Sequence, residues 1–353
     1  MIRVVVAEDS PTVRALLVEI LQSDPEIKVV GQATNGVEAA ELTARLKPDL
    51  VTMDVHMPVM DGFAATKEIM VHTPTPILIV SSSVSGNDVE LSLNAMRAGA
   101  LMLVRKPEDP QSARFDGLRD ELVDMAKAMA QVKVVRRWPA GAPGTLATPP
   151  LRPLRTRPIQ LVAVAASTGG PAALQQILAA LPRDFPAPIL AVQHLATGFV
   201  PGLAAWLDMS CNLHVKVAED GEPLAPRTVF LAPDDRHLGV RAGGRVLVVD
   251  APPVGGFRPS GTYLFTSVAQ LYGRSVAAVI LTGMGNDGVA GLKNVNAAGG
   301  LVLAQDEASS VVYGMPREAV AAGVVDAVLT PDEIAARLRD AVAAPTEDRS
   351  PRK

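Results

Sequence analysis

Three polar residues that together could perform acyl transfer follow separate apolar runs in the second half of the chain. Ser167 follows residues 161–166, His194 follows residues 189–193, and Asp287 lies in TGMGNDG after residues 276–281. A serine hydroxyl becomes nucleophilic when a histidine removes its proton, and a carboxylate fixes the tautomer of that histidine. The three residue types therefore predict a nucleophile, a base and an orienting acid.

Each of the three residues also has a structural interpretation. Ser167 in ASTGGP could cap the helix that Pro171 predicts. The free amides at the N-terminus of that helix could equally stabilise an oxyanion. His194 could be a half-buried core residue, and Asp287 between glycines could be a turn residue. The catalytic interpretation depends on all three meeting at one edge of a sheet.

A nucleotide site is a further alternative for the loop that carries Asp287. Residues 283–288 read G-x-G-x-x-G between a predicted strand and a predicted helix, and Asp306 ends the next strand, as in dinucleotide-binding folds. Against this interpretation, Asp287 would place a negative charge in a loop meant for a pyrophosphate. It also leaves Ser167 and His194 unexplained.

A second group of polar residues follows the apolar runs of the first half. Glu8 and Asp9 follow residues 3–7, Asp54 follows 50–53, Ser81 follows 77–80, and Lys106 comes after 101–104. Converging carboxylates need a cation, and Mg²⁺ prefers a few carboxylates with water and phosphate oxygens. A lysine would neutralise a phosphoryl group and a serine would donate to it, although any single acid here could instead be a helix cap.

The elements that must position these residues alternate between apolar strands and amphipathic helices in both halves. This alternation predicts two α/β domains with doubly wound parallel sheets, flavodoxin-like and then Rossmann-like. In such sheets the functional residues lie beyond the carboxyl ends of the strands. Residues 133–158 contain six prolines, six Lys or Arg residues and no acid, which predicts a linker, either a solvated tether or a basic clamp.

Composition excludes several classes of protein. The chain has 353 residues, 48% of them apolar but only 3% aromatic, and the single cysteine, Cys211, excludes a disulfide framework or a cysteine-clustered metal site. We interpret Cys211, with His214 nearby, as structural rather than as a thiol catalyst. A net charge of −4 argues against nucleic acid as the main partner. The start lacks a signal-peptide pattern and no run is long enough to insert in a membrane, so we expect a cytoplasmic protein.

Residues 1 to about 125 resemble a response-regulator receiver domain through VVVAEDS, VTMDVHMPVMDG, PILIVSSS and LVRKP. The resemblance implies that Asp54 accepts phosphate from a histidine kinase. It also implies that Glu8, Asp9, Asp54 and the backbone carbonyl of His56 hold Mg²⁺, while Ser81 and Lys106 sense the phosphoryl group. Leu103 stands where that family often carries an aromatic switch residue.

Residues from about 158 to 340 resemble the CheB-type chemotaxis protein-glutamate methylesterases through ASTGGP, VQH, FRPS, LTGMGNDG and AQDEASSVVYGMPREAV. The resemblance implies that Ser167, His194 and Asp287 form a catalytic triad and that the Met284 amide helps to form an oxyanion hole. It implies phosphorylation-activated hydrolysis of glutamate γ-methyl esters on the cytoplasmic helices of a chemoreceptor, with deamidation of receptor glutamine as a companion activity. No cofactor is expected for the esterase.

The predicted organisation is a receiver at 1–125, a linker at 126–157, a catalytic domain at 158–342 and a disordered tail at 343–353. The alternative from another functional class is a phosphorylation-controlled adaptor whose second domain has lost turnover. No basic helix-turn-helix pattern follows the receiver, which argues against a DNA-binding output.

Overall fold

The fold is that of a computed structural model, which describes residues 1–82, 87–107, 109–132, 134 and 159–343. The described residues form two compact units, one around a five-stranded sheet and one around a seven-stranded sheet. No helix within these residues is long and apolar enough to cross a membrane.

The first unit is an alternating β/α chain in which every sheet pairing is parallel. The strand order is β2-β1-β3-β4-β5. Its elements are β1 (Ile2–Ala7), α1 (Pro11–Gln22), β2 (Ile27–Ala33), α2 (Gly36–Leu46), β3 (Leu50–Met53), α3 (Gly62–His72), β4 (Ile77–Ser81), α4 (Asn87–Ala98), β5 (Met102–Arg105) and α5 (Phe115–Met129).

The second unit adds a hairpin to a parallel sheet of order β14-β13-β12-β6-β7-β9-β8. Its elements are β6 (Leu161–Ala166), α6 (Gly170–Ala180), β7 (Ile189–Gln193), α7 (Val200–Ser210), β8 (His214–Val217), β9 (Thr228–Leu231), β10 (His237–Arg241), β11 (Arg245–Val249), α8 (Gly261–Tyr272), a 3₁₀ turn (Gly273–Ser275), β12 (Val276–Ile280), α9 (Val289–Ala297), β13 (Leu301–Gln305), α10 (Met315–Ala321), β14 (Ala327–Leu329) and α11 (Pro331–Ala343). The antiparallel hairpin is β10–β11.

The central strands are buried on both faces, which explains their continuous apolar sequences. Every residue of β6, β7, β12 and β13 is buried. Because successive side chains of a strand point to opposite faces, helices must cover both sides of the sheet. The predicted doubly wound parallel architecture is confirmed in both halves, whereas β8, β14 and the hairpin β10–β11 were not predicted.

The order of the strands brings the polar strand ends together. In the second sheet β6 lies between β12 and β7, so the loops after these three strands share one edge. In the first sheet β1 lies between β2 and β3, so the loops after β1 and β3 adjoin. These are the points where the chain changes direction across the sheet, where ligands bind in such folds.

The helix α5 extends to Met129, beyond the predicted domain end at 125. The rest of the predicted linker, apart from residues 130–132 and 134, lies outside the described residues. The same holds for the predicted tail after residue 343.

Candidate active site and phosphoacceptor site

Ser167 directly follows the fully buried strand β6 and is itself buried. Its backbone amide donates to the Thr282 carbonyl at 3.0 Å, which fixes the loop against the end of β12. Within the described residues its hydroxyl takes part in no hydrogen bond. The N-cap position of α6 belongs to Gly169, a residue with φ 76° and no capping side chain. The interpretation of Ser167 as a helix cap is therefore wrong.

Gly283 allows the loop after β12 to approach the serine. A Cβ at Gly283 would lie 2.7 Å from Ser167 Cβ and 2.5 Å from Met315 Sδ, closer than real Cβ atoms come. The next residue is Met284, whose backbone amide donates to no described residue. A free amide beside a nucleophile is what an oxyanion site requires. The amide of Thr168, directly after the serine, is also free of described acceptors.

His194 presents one ring nitrogen to a carboxylate and leaves the other one available. Its Nε2 lies 3.0 Å from Asp287 Oδ2, and its side chain is 13% exposed. Its Nδ1 is buried and has no hydrogen-bond partner among the described residues. Since an ionised carboxylate only accepts hydrogen bonds, Nε2 carries the proton and Nδ1 keeps the lone pair of a base. Nδ1 is not yet bonded to the serine, as is common before substrate binds.

Asp287 lies at the N-terminus of α8, where donors keep it ionised. Its carboxylate accepts from the Ser260 hydroxyl at 2.7 Å and from the backbone amides of Gly261 (2.6 Å), Thr262 (3.1 Å) and Gly288 (2.9 Å). Burial would raise its pKa, but the bond to His194 and these donors outweigh burial and lower the pKa to about 2. Asp287 is therefore a fixed negative charge that orients His194.

The same contacts contradict the nucleotide interpretation of GMGNDG. The amide of Gly288 binds the carboxylate of Asp287 at 2.9 Å. Asp306, which would contact a ribose, instead accepts from the amide and the hydroxyl of Ser309. The carboxylate of Asp287 thus takes the amide at the start of α9, a donor that a pyrophosphate at that helix N-terminus would need.

Gln193 joins the loops of Ser167 and His194, a contact that the sequence did not predict. Its side-chain Nε2 donates to the carbonyls of Ser167 and His194, each at 2.8 Å, so one buried amide joins the two loops. The stretch VQH carried the signal, but nothing in it assigned a role to the glutamine. Ser260, in FRPS, was missed in the same way.

Cys211 and His214 lie apart from this chemistry. The Cys211 thiol contacts the Leu213 carbonyl at 3.4 Å, and burial raises its pKa, which disfavours the thiolate. His214 forms an exposed pair with Asp208. Both residues have structural contacts, as their sequence context indicated.

The polar strand ends of the first unit form a compact charged cluster. Lys106 Nζ lies 2.8 Å from Glu8 Oε2 and 3.0 Å from Asp54 Oδ1, and all three side chains are buried. The Asp54 amide donates to the Ala7 carbonyl at 2.9 Å, which joins the ends of β1 and β3. Three of the residues predicted from separate strands are therefore in direct contact.

Ser81 lies next to this cluster, and His56 and Leu103 lie on the adjoining loop and strand. Buried Ser81 ends β4, and its carbonyl accepts from the Lys106 amide at 2.9 Å. Exposed His56 lies two residues beyond Asp54. Leu103, at the position of the usual aromatic switch, is buried in β5.

The electrostatics of the cluster favour a cation. Burial raises the pKa of Glu8 and of Asp54 despite their contacts with Lys106. Burial works to lower the pKa of Lys106, but the two carboxylates outweigh it and raise that pKa. The carboxylates of Glu8, Asp9 and Asp54 each offer an oxygen within 4.8 Å of the others. This oxygen set fits a hard divalent ion.

Comparison with known proteins supports the assignment of both units. The CheB methylesterase family model matches residues 162–338, and the response regulator receiver domain model matches residues 4–114. The chain is 56% identical to protein-glutamate methylesterase/protein-glutamine glutaminase 4 of Myxococcus xanthus, covering 96% of this chain and 97% of that protein. It is 55% identical to protein-glutamate methylesterase/protein-glutamine glutaminase 3 of Anaeromyxobacter dehalogenans, and the match covers 96% of this chain and 98% of that protein.

The second unit also resembles a crystal structure. The Thermotoga maritima CheB methylesterase catalytic domain matches with a TM-score of 0.50 and 40% identity, covering 52% of this chain and 98% of that one. A receiver unit followed by a parallel α/β unit with polar strand ends defines a response regulator with an α/β output domain. Within that class, the chain belongs to the CheB methylesterase family.

Proposed function

We propose that this chain is a phosphorylation-activated protein-glutamate methylesterase that also deamidates protein glutamine. The observation that carries the proposal is the convergence of Ser167, His194 and Asp287 at the ends of three adjacent strands. Two relatives named for both activities match nearly the whole chain. The predicted substrate is a glutamate on the cytoplasmic helices of a chemoreceptor, which would place the enzyme in the cytoplasm.

The geometry accounts for hydrolysis in two acyl-transfer steps. Ser167 Oγ attacks the γ-carbonyl carbon while His194 Nδ1 takes the hydroxyl proton, and the free amide of Met284 donates to the oxyanion. Collapse breaks the bond to the methoxy oxygen, which leaves as methanol with the proton from His194. Water activated by Nδ1 then hydrolyses the acyl-enzyme and releases glutamate.

The same site accounts for deamidation, because only the leaving group changes. With glutamine bound, His194 protonates the departing nitrogen, and ammonia leaves in place of methanol. Throughout both reactions Asp287 stays ionised and stabilises the imidazolium that forms between steps. No step requires a metal ion or an organic cofactor at Ser167.

The first unit supplies regulation in this proposal. Asp54 is the phosphoacceptor, a histidine kinase is the phosphodonor, and Lys106 and Ser81 contact the phosphoryl group. Glu8, Asp9, Asp54 and the His56 carbonyl would hold Mg²⁺, which neutralises phosphate charge during transfer. Phosphorylation would change how Lys106 is shared between Glu8 and Asp54, and this biases the receiver toward its active state.

The proposal is tested by methanol release from a methylated receptor cytoplasmic fragment with and without acetyl phosphate. We expect faster release with the phosphodonor for the unmodified chain and no response for Asp54→Asn, which keeps the shape of the residue but loses the acceptor oxygen. Asp49→Asn is a matched control, because Asp49 contacts the Arg3 amide outside the cluster. If the chain releases no methanol under either condition, an adaptor role replaces catalysis.

Removal of Mg²⁺ should separate regulation from catalysis. With EDTA, we expect acetyl phosphate to have no effect on the rate, while the unstimulated release of methanol is unchanged. The reason is that the acidic cluster belongs to the receiver, whereas the proposed acyl transfer uses only Ser167, His194 and Asp287. Loss of unstimulated release with EDTA, restored by Mg²⁺, would contradict this division.

A further inference from the structure

Within the part of the chain that the structure describes, one hydrogen bond holds the imidazole of His194, and that bond alone leaves its ring plane undefined. The contact of Nε2 with Asp287 fixes that atom, and Nδ1 has no partner. A ring fixed at one nitrogen can still rock about that contact. General base catalysis requires the lone pair of Nδ1 to point at the serine, so some other contact must define the plane.

The ring of Phe257 supplies such a contact. Its centroid lies 4.6 Å from that of His194, and the two planes differ by 11°. Nearly parallel rings at this separation form an offset stack, a favoured arrangement of aromatic pairs. The stack covers one face of the imidazole and opposes rotation of its plane.

The position of Phe257 is set by its own loop and not by His194. Its amide and carbonyl exchange hydrogen bonds with Val254 at 3.1 and 3.0 Å. The next residue, Arg258, contacts Asp235 at 2.6 Å and Asp250 at 3.2 Å. A ring anchored in this way can act as a fixed surface against which the histidine rests.

The loop after β12 also approaches the Phe257 ring. The Cζ atom of Phe257 lies 3.9 Å from the point where a Cβ of Gly285 would be. Gly285 directly follows Met284, whose amide is free. One aromatic ring therefore contacts the base through its face and approaches, through its edge, the loop that carries the proposed oxyanion donor.

From these contacts we propose that Phe257 is a positioning residue for the general base, one that fixes the ring plane of His194 and stabilises its protonated form. The second effect arises because the negative face of an aromatic ring attracts the imidazolium formed when Nδ1 takes the serine proton. This inference rests on the proposed esterase function. It assigns a role to Phe257, the first residue of the FRPS motif.

The kinetic test compares Phe257→Leu with Phe257→Tyr in the full chain, treated with acetyl phosphate and assayed by methanol release. Leucine keeps an apolar side chain but removes the aromatic face, whereas tyrosine keeps the face and points its hydroxyl toward a glycine. We expect Phe257→Leu to lower kcat about tenfold with little change in KM, the size of a lost aromatic stack. Phe257→Tyr should retain most of kcat.

A matched control is His237→Leu, which removes another stack of a histidine on an aromatic ring. His237 packs on Tyr263 with ring centroids also 4.6 Å apart, and it belongs to the hairpin strand β10. We expect this variant to keep the kcat of the unmodified chain. If Phe257→Leu has an unchanged kcat, or if Phe257→Tyr loses as much as Phe257→Leu, the proposal is wrong.

A second readout does not depend on turnover. The Phe257 ring current should shift the ring protons of His194 upfield in the NMR spectrum of histidine-labelled chain, with His194→Gln assigning the signal. We expect this shift in the unmodified chain and in Phe257→Tyr, and its absence in Phe257→Leu. Absence of the shift in the unmodified chain would overturn the positioning contact. Absence of methanol release from a chain that shows the shift would instead overturn the esterase function.

Discussion

Replacing Ser167 by alanine should abolish methanol release, with a loss of at least about 10⁴-fold in kcat. In the proposed mechanism the Ser167 hydroxyl is the group that forms the acyl-enzyme. Because that hydroxyl makes no hydrogen bond within the described residues, its removal should leave the thermal midpoint of the chain unchanged. The measurement is methanol release at saturating methylated receptor fragment, beside a thermal unfolding scan.

The control for this variant is Ser210→Ala, at the end of α7, where the hydroxyl donates to the Leu207 carbonyl at 3.4 Å. We expect full activity from it. Phosphorylation of Asp54 by acetyl phosphate should also be normal in Ser167→Ala. A Ser167→Ala chain whose rate stays within about tenfold of the unmodified rate would exclude serine acyl transfer.

Replacing Asp287 by asparagine should lower kcat by about 10³- to 10⁴-fold while the serine stays in place. The asparagine amide nitrogen can face His194 Nε2, and Nε2 must then accept rather than donate. The proton moves to Nδ1, so the nitrogen that should deprotonate Ser167 no longer has a free lone pair. The measurement is again methanol release, with Asp208→Asn as control, because Asp208 forms the exposed pair with His214.

The same substitution should reduce stability in a pH-dependent way. The pKa of Asp287 is lowered from 3.8 to about 2 in the folded chain, which corresponds to roughly 2 kcal/mol of stability. Since the folded pKa is below the unfolded one, this stability is present above about pH 4 and is lost as the pH falls through about 2. At neutral pH, the free energy of unfolding measured in urea should be lower for Asp287→Asn than for the unmodified chain. This difference should become smaller as the pH is lowered. A difference that does not depend on pH would mean that charge is not the cause.

Much of the site geometry follows from the sequence because the geometry of parallel sheets is restrictive. Ser167, His194 and Asp287 each follow an apolar run, and parallel strands end at the same edge. The structure places their strands side by side, in the order β12, β6, β7. Glu8, Asp54 and Lys106 meet in the first unit for the same reason.

Some elements were missed because their sequences are short or depend on distant partners. The strand β14 has only three residues, Ala327–Leu329, and pairs at the sheet edge with β13. The hairpin β10–β11 lies outside the main sheet, and its burial comes from packing on α8. Local periodicity carries little information about pairing of this kind.

The sequence by itself determined the two parallel α/β units, the polar residues at their strand ends and the order of the motifs. Only the tertiary structure decided that Nε2 of His194 faces Asp287 while Nδ1 is free, that α8 begins on the Asp287 carboxylate, and that Phe257 stacks on the base. The reason is physical. Parallel strands end at the same edge of a sheet, so the order of strands and helices in the sequence is enough to predict that their ends converge. The orientation of a ring and its hydrogen-bond partners depend instead on contacts between side chains far apart in the chain.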